Sequence, residues 1–463
     1  METVESPGLS IEYTAKIAGF VAEAAYEKIP AEALEVAKTA IIDCIGVTLA
    51  GSREKSAGIC GLLARGEGAK EESTVIGQGF KSSALLASLA NGTASHALDY
   101  DYSFTQMGQP MAGLVAAVFS LAEALAASGR ELLTAYVAGF EVTARLVGTL
   151  PELASRGGWH SPATVGSMGA AAASARLLGL GPEGVEMALG ITASMASGIV
   201  ANFATMTKPL HAGLAARNGV LAAKLAKEGF TSSPAIFERP RGFFHAFSRE
   251  LPIREAALET LGKKFDLVER GIRIKPYPCG GLTHSAIDAL LELRSEYGIR
   301  PEAVEKISVA VAQDAYNNII YDRPETGLQG KFSLPYVLAR ALAHGRVVLD
   351  HFTDEAVKDP LVRELGSKIS KEVDSTFEEG EGRRPSRVTV RTNDGRTLSR
   401  RVDFAKGSRR SPMSPEEIQE KFVECAAKTL DRKAIDQVLE HLKNLERMPD
   451  LRPLCRLLMA RAQ

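Results

Sequence analysis

Four short stretches of the chain carry side chains suited to proton transfer and anion binding. Ser155–Arg176 (SRGGWHSPATVGSMGAAAASAR) holds the single tryptophan, Trp159, followed by His160, Ser161 and Pro162. Ser-Pro ahead of an alanine-rich run reads as an N-cap and first helical position, which puts His160 just before a helix N-terminus. Backbone N–H groups and the positive helix end favour an anion there and disfavour an imidazolium, so a neutral imidazole could act as a general base. TKPLH at 207–211 repeats the theme: Pro209 marks a helix start, with Lys208 at its edge and His211 in its first turn. In KPYPCGGLTH at 275–284, Lys275 precedes a Gly-Gly loop, and Thr283 is a cap with His284 beside it. NGTASHALDYDYS at 91–103 reads as a helix end carrying Asp99 and Asp101, with Ser103 after them. Convergence of His160, Lys208 and His284 on one cavity would make a cationic pocket for a small polyanionic acid, with Asp99 orienting a histidine or countering charge. The dipoles would push the His and Lys pKa values down, towards neutrality. The bland alternative is that each group is an ordinary polar residue at a helix end. The acidic pair does not resemble a metal loop. His96, His245, His344, His351 and His441 are assigned no role, and Tyr277 and Tyr336 read first as core aromatics with polar tips.

The elements that must position these groups are mostly helices. The chain has 463 residues, 45% hydrophobic and 24% charged, with a formal net charge of -1, a balance that gives no support for nucleic-acid or anionic-membrane binding. Its five cysteines are scattered, without the pairs of a zinc site, an iron–sulfur centre or a disulfide framework. The N-terminus is acidic and polar, no apolar run reaches membrane-span length, and a cytoplasmic location is the default expectation. No phosphate loop, dinucleotide fingerprint or nucleophile elbow is present. Helical periodicity covers 10–51, 82–96, 111–128, 130–149, 161–180, 183–201 and 209–228, with 73–80 extended. The small side chains on these helices permit close packing around a buried centre. Residues 1–268 therefore read as one all-helical domain. Residues 269–407 read as a smaller α+β domain: strands at 306–313 and 369–373, helices at 332–344 and 354–365, and a hairpin whose strands, 387–391 and 396–404, flank Asn393-Asp394-Gly395. Residues 408–463 read as terminal helices packing back on the first domain, with the basic run near 407–410 a solvated hinge. The fold class expected is mainly α, a large bundle built from both chain ends with an inserted α+β domain.

The segments NGTASHALDYD, GGWHSPATVGSMGAAAASARLLGL, KPLHAGLAARNG, KPYPCGGLTH and GKFSLPYVLARAL resemble the MmgE/PrpD family in content and order. That resemblance implies a homodimer acting on small di- or tricarboxylic acids, with no metal or organic cofactor. The family includes 2-methylcitrate dehydratase, cis-aconitate decarboxylase and iminodisuccinate epimerase. Residue by residue, it implies a catalytic set of Asp99, His160, Lys208, His284 and Tyr336, with Lys275, Gln109, Ser103 and His211 as substrate-binding candidates. Two departures stand out. Asp101-Tyr102-Ser103 replaces the Asp-Asp-Thr of decarboxylase-like members, and Gln109-Pro110-Met111 replaces a histidine-bearing motif with a side chain that cannot titrate.

The leading expectation is thus a cofactor-independent lyase, of dehydratase or decarboxylase type, on a 2-methylcitrate- or cis-aconitate-like acid. His160 would move the proton, Lys208 and Lys275 would hold carboxylates, and His284 with Tyr336 would assist the leaving group or reprotonation. One alternative is an epimerase of an amino- or imino-dicarboxylate using two bases. Another is a carboxylate-binding member that has lost turnover through Gln109.

Overall fold

The structure is a computed structural model and describes residues 12–104, 108–153, 157–203, 205–248, 251–378, 380 and 383–459. The acidic N-terminus through residue 11, and Ser155 and Arg156 of the tryptophan stretch, lie outside the described residues. The chain forms two compact units, Met1–Ile272 with Glu416–Gln463, and Arg273–Pro415.

The first unit is mainly α. Its long helices are α1 (Tyr13–Glu23), α2 (Ala31–Gly51), α3 (Lys55–Gly66), α4 (Ala84–Ala97), α5 (Leu114–Leu125), α6 (Gly129–Thr149), α7 (Val165–Leu177), α8 (Pro182–Ala193) and α9 (Thr207–Lys227). Short helices α10 (Phe243–Ser248), α11 (Ala256–Glu259) and α12 (Asp266–Glu269) follow. Caps set several starts: the Ser83 hydroxyl accepts from Leu86 N at α4, and Ser128 with Glu131 forms a capping box at α6. Residues 73–82 are a hairpin of β1 (Ser73–Val75) and β2 (Phe80–Ser82), where the sequence reading recognised one extended piece.

Small residues let these helices close on one another. A Cβ on Gly213 of α9 would lie 2.4 Å from the Leu89 carbonyl oxygen of α4, and one on Gly139 of α6 would lie 2.5 Å from the Gly169 oxygen of α7. The α4–α9 contact places the C-terminal end of α4 in the same neighbourhood as the first turns of α9.

Three helix boundaries differ from expectation. Helix α7 starts at Val165, because Thr164 adopts φ -96 and ψ -91 and residues 161–164 form a hydrogen-bonded turn. Ser161 is therefore not its N-cap, nor Pro162 its first residue. Helix α9 starts at Thr207, two residues before Pro209. The first helical N–H groups need no intrahelical partner, so proline fits inside the first turn as well as at its head. Helix α8 ends at Ala193 and is followed by turns rather than continuing to 201.

The C-terminal helices α18 (Pro415–Ala426), α19 (Arg432–Lys443) and α20 (Arg452–Leu458) pack within the first unit. Phe422 lies against Gly46 of α2, and the Thr429 hydroxyl donates to Leu49 O at 2.7 Å. No helix among the described residues is long and apolar enough to cross a membrane.

The second unit holds α13 (His284–Tyr297), α14 (Gln313–Asn318), α15 (Gly327–Gly330), α16 (Leu334–His344) and α17 (Pro360–Ser367). Its sheet is ordered β4-β3-β5-β6, from β3 (Val304–Val311), β4 (Ile369–Val373), β5 (Ser386–Thr392) and β6 (Thr397–Val402). Strands β3 and β4 run parallel and the other pairs antiparallel. Inward-facing Ile307, Val309, Val388 and Val390 pack with Ile287 and Leu290 of α13 in one core. The hairpin turns at Gly395, whose φ of +88 suits glycine. Two local readings change. The 354–365 segment is a 3₁₀ turn followed by α17, because Asp359 caps directly ahead of Pro360. The 407–410 run is a tied turn and not a hinge: Gly407 O accepts from Ile274 N, and Gly407 N donates to Ser411 O at 2.7 Å.

Candidate active site

The loop after α6 and the loop after α8 cross as a short antiparallel bridge, Trp159 opposite Ile199. His160 N donates to Gly198 O at 2.9 Å, and Trp159 stacks edge-on against Phe247 at 4.9 Å. These contacts fix the backbone that carries His160. Its ring is buried, with Phe203 edge-on at 4.8 Å. Its Nδ1 lies 2.9 Å from Nδ1 of His211 on α9. Such a pair needs one nitrogen to donate and the other to accept, so two neutral rings share one proton across this contact.

Lys208, in the first turn of α9, meets Asp99 beyond the end of α4: Nζ to Oδ1 is 2.6 Å. The same oxygen accepts from Gln109 Nε2 at 3.3 Å. A lysine in a first helical turn opposes the helix dipole, and Asp99 offsets that charge. Asp99 holds a left-handed backbone, φ +54, a conformation that costs an L-residue roughly 1–2 kcal/mol but that aspartate tolerates better than most. This turn sends one carboxylate to Lys208 and lets the next, Asp101, return to α4, where both its oxygens lie 3.1 Å from His96 Nδ1.

His96 is the group that sequence reasoning missed. It sits in the last turn of α4, fully buried, with its ring centroid 5.6 Å from that of His160. A histidine ending a helix, with an aspartate five residues on, was the available signal.

The cluster is therefore His96, Asp99, Asp101, Gln109, His160, Lys208 and His211. It brings together six groups singled out from the sequence, Asp101 included, and adds His96. Ser103 is half-buried and makes no side-chain hydrogen bond among the described residues. Asp99 and Asp101 are both engaged, so the solvated reading of this pair does not hold.

The remaining expected residues belong to the second unit. His284 is the first residue of α13, and its Nε2 lies 3.2 Å from Cys279 O. Thr283 occupies the cap position, yet its hydroxyl donates to Gly280 O rather than to the helix. Lys275 is buried in the irregular segment leading to that loop. The Tyr336 hydroxyl donates to His351 O and accepts from Arg340 Nε at 3.0 Å, so within this unit it is part of a hydrogen-bonded network.

Burial holds His160 well below the usual histidine range, and the charges of His96, Lys208 and His211 add to it. His211 is lowered by burial first, then by His96 and Lys208. For both rings desolvation is the largest cause and neighbouring charge the next. A histidine with a depressed folded pKa contributes stability present above its unfolded value, near 6.5, and lost as pH falls below it. Unfolding free energy is expected to rise with pH between about 5 and 7, by up to about 1.4 kcal/mol per unit for each such group. Urea titrations at stepped pH read this slope, and His160→Asn should flatten it. An unchanged slope in that variant would contradict the assignment.

Among the described residues no three His, Cys, Asp or Glu side chains are grouped to hold a metal ion. The chemistry available to the cluster is proton transfer between imidazoles beside an ammonium able to meet a carboxylate.

Comparison with known proteins agrees in both halves. The MmgE/PrpD N-terminal domain matches residues 15–256, and the MmgE/PrpD C-terminal domain matches residues 277–445. The chain is 29% identical to the cis-aconitate decarboxylase-like protein oryM of Aspergillus oryzae, over 96% of this chain and 97% of that protein. It is 29% identical to human cis-aconitate decarboxylase, over 92% and 90% respectively. It is also 29% identical to the cis-aconitate decarboxylase of Aspergillus terreus, over 96% and 95%.

Proposed function

The chain belongs to the MmgE/PrpD family, and from that premise we propose that it is a cofactor-independent lyase that decarboxylates a cis-aconitate-like tricarboxylic acid. The observation that carries the reading is the buried His160–His211 pair beside Lys208, a proton store next to a cation. The names of the relatives supply the substrate class.

The chemistry needs little else. Breaking the bond to one carboxylate releases CO2 and leaves an electron pair on carbon. A neighbouring double bond and the remaining carboxylates delocalise that pair. One proton delivered to carbon then completes a dianionic product from a trianionic substrate. Lys208 offsets charge on a carboxylate, as fixed cations do for developing anions. Asp99 orients Lys208, and Gln109 shares the Asp99 oxygen. Resting His160 is neutral. A polyanion placed against it reverses the electrostatic balance, so the pair takes up its proton together with the substrate and passes it to carbon. Gln109 cannot supply that proton, which leaves the transfer to the imidazole pair. From the family resemblance we carry Lys275 as a carboxylate ligand and His284 with Tyr336 as aids to bond cleavage or reprotonation.

The test is an NMR screen in D2O of purified protein with cis-aconitate, citrate, 2-methylcitrate and amino-dicarboxylates. The expected result is loss of one carboxylate from cis-aconitate with one deuteron incorporated per product. Water loss from 2-methylcitrate would move the reading to a dehydratase. Deuterium wash-in without net conversion would move it to an epimerase, and thermal stabilisation without reaction to a binding protein.

A further inference from the structure

The loop between α8 and α9 carries exposed apolar side chains that the scheme above does not use. Ile199, Phe203 and Met206 are 55%, 45% and 51% exposed. Isolated exposed hydrophobic residues are ordinary, but a group of them on one short loop beside a site is not. The backbone holds them in place. Besides the bridge between Trp159 and Ile199, Val200 N donates to Gly158 O at 3.0 Å, and Phe203 N donates to Val200 O at 2.9 Å. Further on, Lys208 N donates to Thr205 O at 3.1 Å. The loop is thus tied at one end to the segment that carries His160 and at the other to the turn that carries Lys208, with Phe203 between them.

Phe203 is the member of the three that touches the cluster. Its ring stands edge-on to that of His160, with 4.8 Å between centroids and 76° between planes. His160 is only 6% exposed, so Phe203 lies at the border between the buried imidazole and solvent. A carbon placed on this side of His160 to receive its proton lies against the Phe203 ring as well. That ring offers a hydroxyl no hydrogen bond of ordinary strength. The nearby Thr205 hydroxyl is already engaged within the loop, donating to Asn202 O at 2.8 Å and accepting from Thr207 N at 3.2 Å.

We propose that Phe203 is a specificity-determining residue: an apolar wall beside His160 that accepts the hydrocarbon carbons of a tricarboxylic acid and disfavours a hydroxy acid of the same shape. The inference deepens the lyase reading and rests on it for where the substrate lies. The cause is the penalty for desolvating a hydroxyl against a surface that returns no hydrogen bond. An apolar wall discriminates against an added hydroxyl by on the order of 10²-fold at most. Lys208 serves the carboxylates, which both kinds of acid share, so the difference between them falls on the wall. A dehydratase must hold the hydroxyl it expels, and Phe203 gives that group nothing to bind.

The experiment measures binding to the full-length protein by calorimetry, using citrate and tricarballylate, which is citrate without its hydroxyl. The parent protein is compared with Phe203→Leu and Phe203→Ser. The parent should bind tricarballylate more tightly than citrate, by on the order of 10- to 100-fold. Phe203→Leu keeps the wall apolar and should keep that ratio. Phe203→Ser supplies a partner for the hydroxyl and should shrink the ratio by about tenfold. A merely structural role would weaken both ligands alike and leave the ratio in place. Equal affinities in the parent, a ratio unchanged in Phe203→Ser, a ratio lost equally in Phe203→Leu, or no binding of either acid overturns the proposal. Turnover of cis-aconitate by the parent is followed in parallel. The expected ratios without turnover would keep the wall and remove the lyase reading, and turnover with unmoved ratios would do the reverse.

Discussion

Replacing His160 by Ala is expected to lower kcat by about 10²-fold or more, the usual contribution of a positioned proton-transfer group. The His160–His211 contact makes a sharper statement possible. At an Nδ1–Nδ1 distance of 2.9 Å the two rings share one proton, so they act as one unit. Residues acting as a unit give non-additive losses. His211→Ala should therefore cost a comparable factor, and the double replacement little more than either alone. The pH dependence follows from the same contact. The resting pair is neutral because burial and nearby cations depress its proton affinity. A productive complex then requires proton uptake, and kcat/KM for the parent protein should fall as pH rises, approaching tenfold per unit. Circular dichroism and urea midpoints at pH 7 separate loss of chemistry from loss of fold. Multiplicative losses in the double variant, or near-normal turnover in His160→Ala, would contradict the shared-proton pair.

What could be read in advance divides along physical lines. The Ala-, Gly- and Ser-rich runs pointed to closely packed internal helices, and the approach of Gly213 to Leu89 shows why such residues are needed. The Asp394-Gly395 turn and the alternation around Val388 and Val390 marked β5 and β6, since a turn and a two-residue period are local properties. His160, Lys208, Asp99 and Gln109 were legible through motifs that resemble a family. Exact helix starts were not. Ser161-Pro162 and Pro209 satisfy the local rules at more than one position, while α7 begins only after the irregular backbone of Thr164 and α9 already at Thr207. His96 escaped because, taken alone, it reads as an ordinary helix or surface residue. Its meaning depends on the left-handed turn at Asp99, which returns Asp101 to it. Local chemistry predicted neither the turn nor the support it receives from α18, which lies more than 300 residues further along the chain.

That support yields the second large effect. Lys421 of α18 and Asp43 of α2 are both buried and 2.6 Å apart. Lys421 also donates to Tyr100 O at 2.8 Å and lies 3.8 Å from the centre of the Tyr100 ring, while Asp43 accepts from Tyr102 N at 2.9 Å. The pair thus grips the backbone on both sides of Asp101. Burial raises the proton affinity of Asp43 and Lys421 lowers it, so the carboxylate depends on its partner for compensation. Lys421→Ala leaves a buried carboxylate uncompensated and is expected to lower unfolding free energy by about 3–5 kcal/mol. A double variant, Asp43→Asn with Lys421→Met, removes both charges and keeps most of the volume. It should recover a large part of that loss, because the penalty lies in the orphaned charge more than in the missing attraction. Turnover should not recover to the same degree, since neither replacement restores the ammonium that holds Tyr100 and, through it, the Asp99–Asp101 turn. Urea unfolding of the three variants, alongside their kcat values, separates the two contributions. A loss below about 1 kcal/mol in Lys421→Ala would place this ion pair with exposed ones and remove α18 as the element that secures the site.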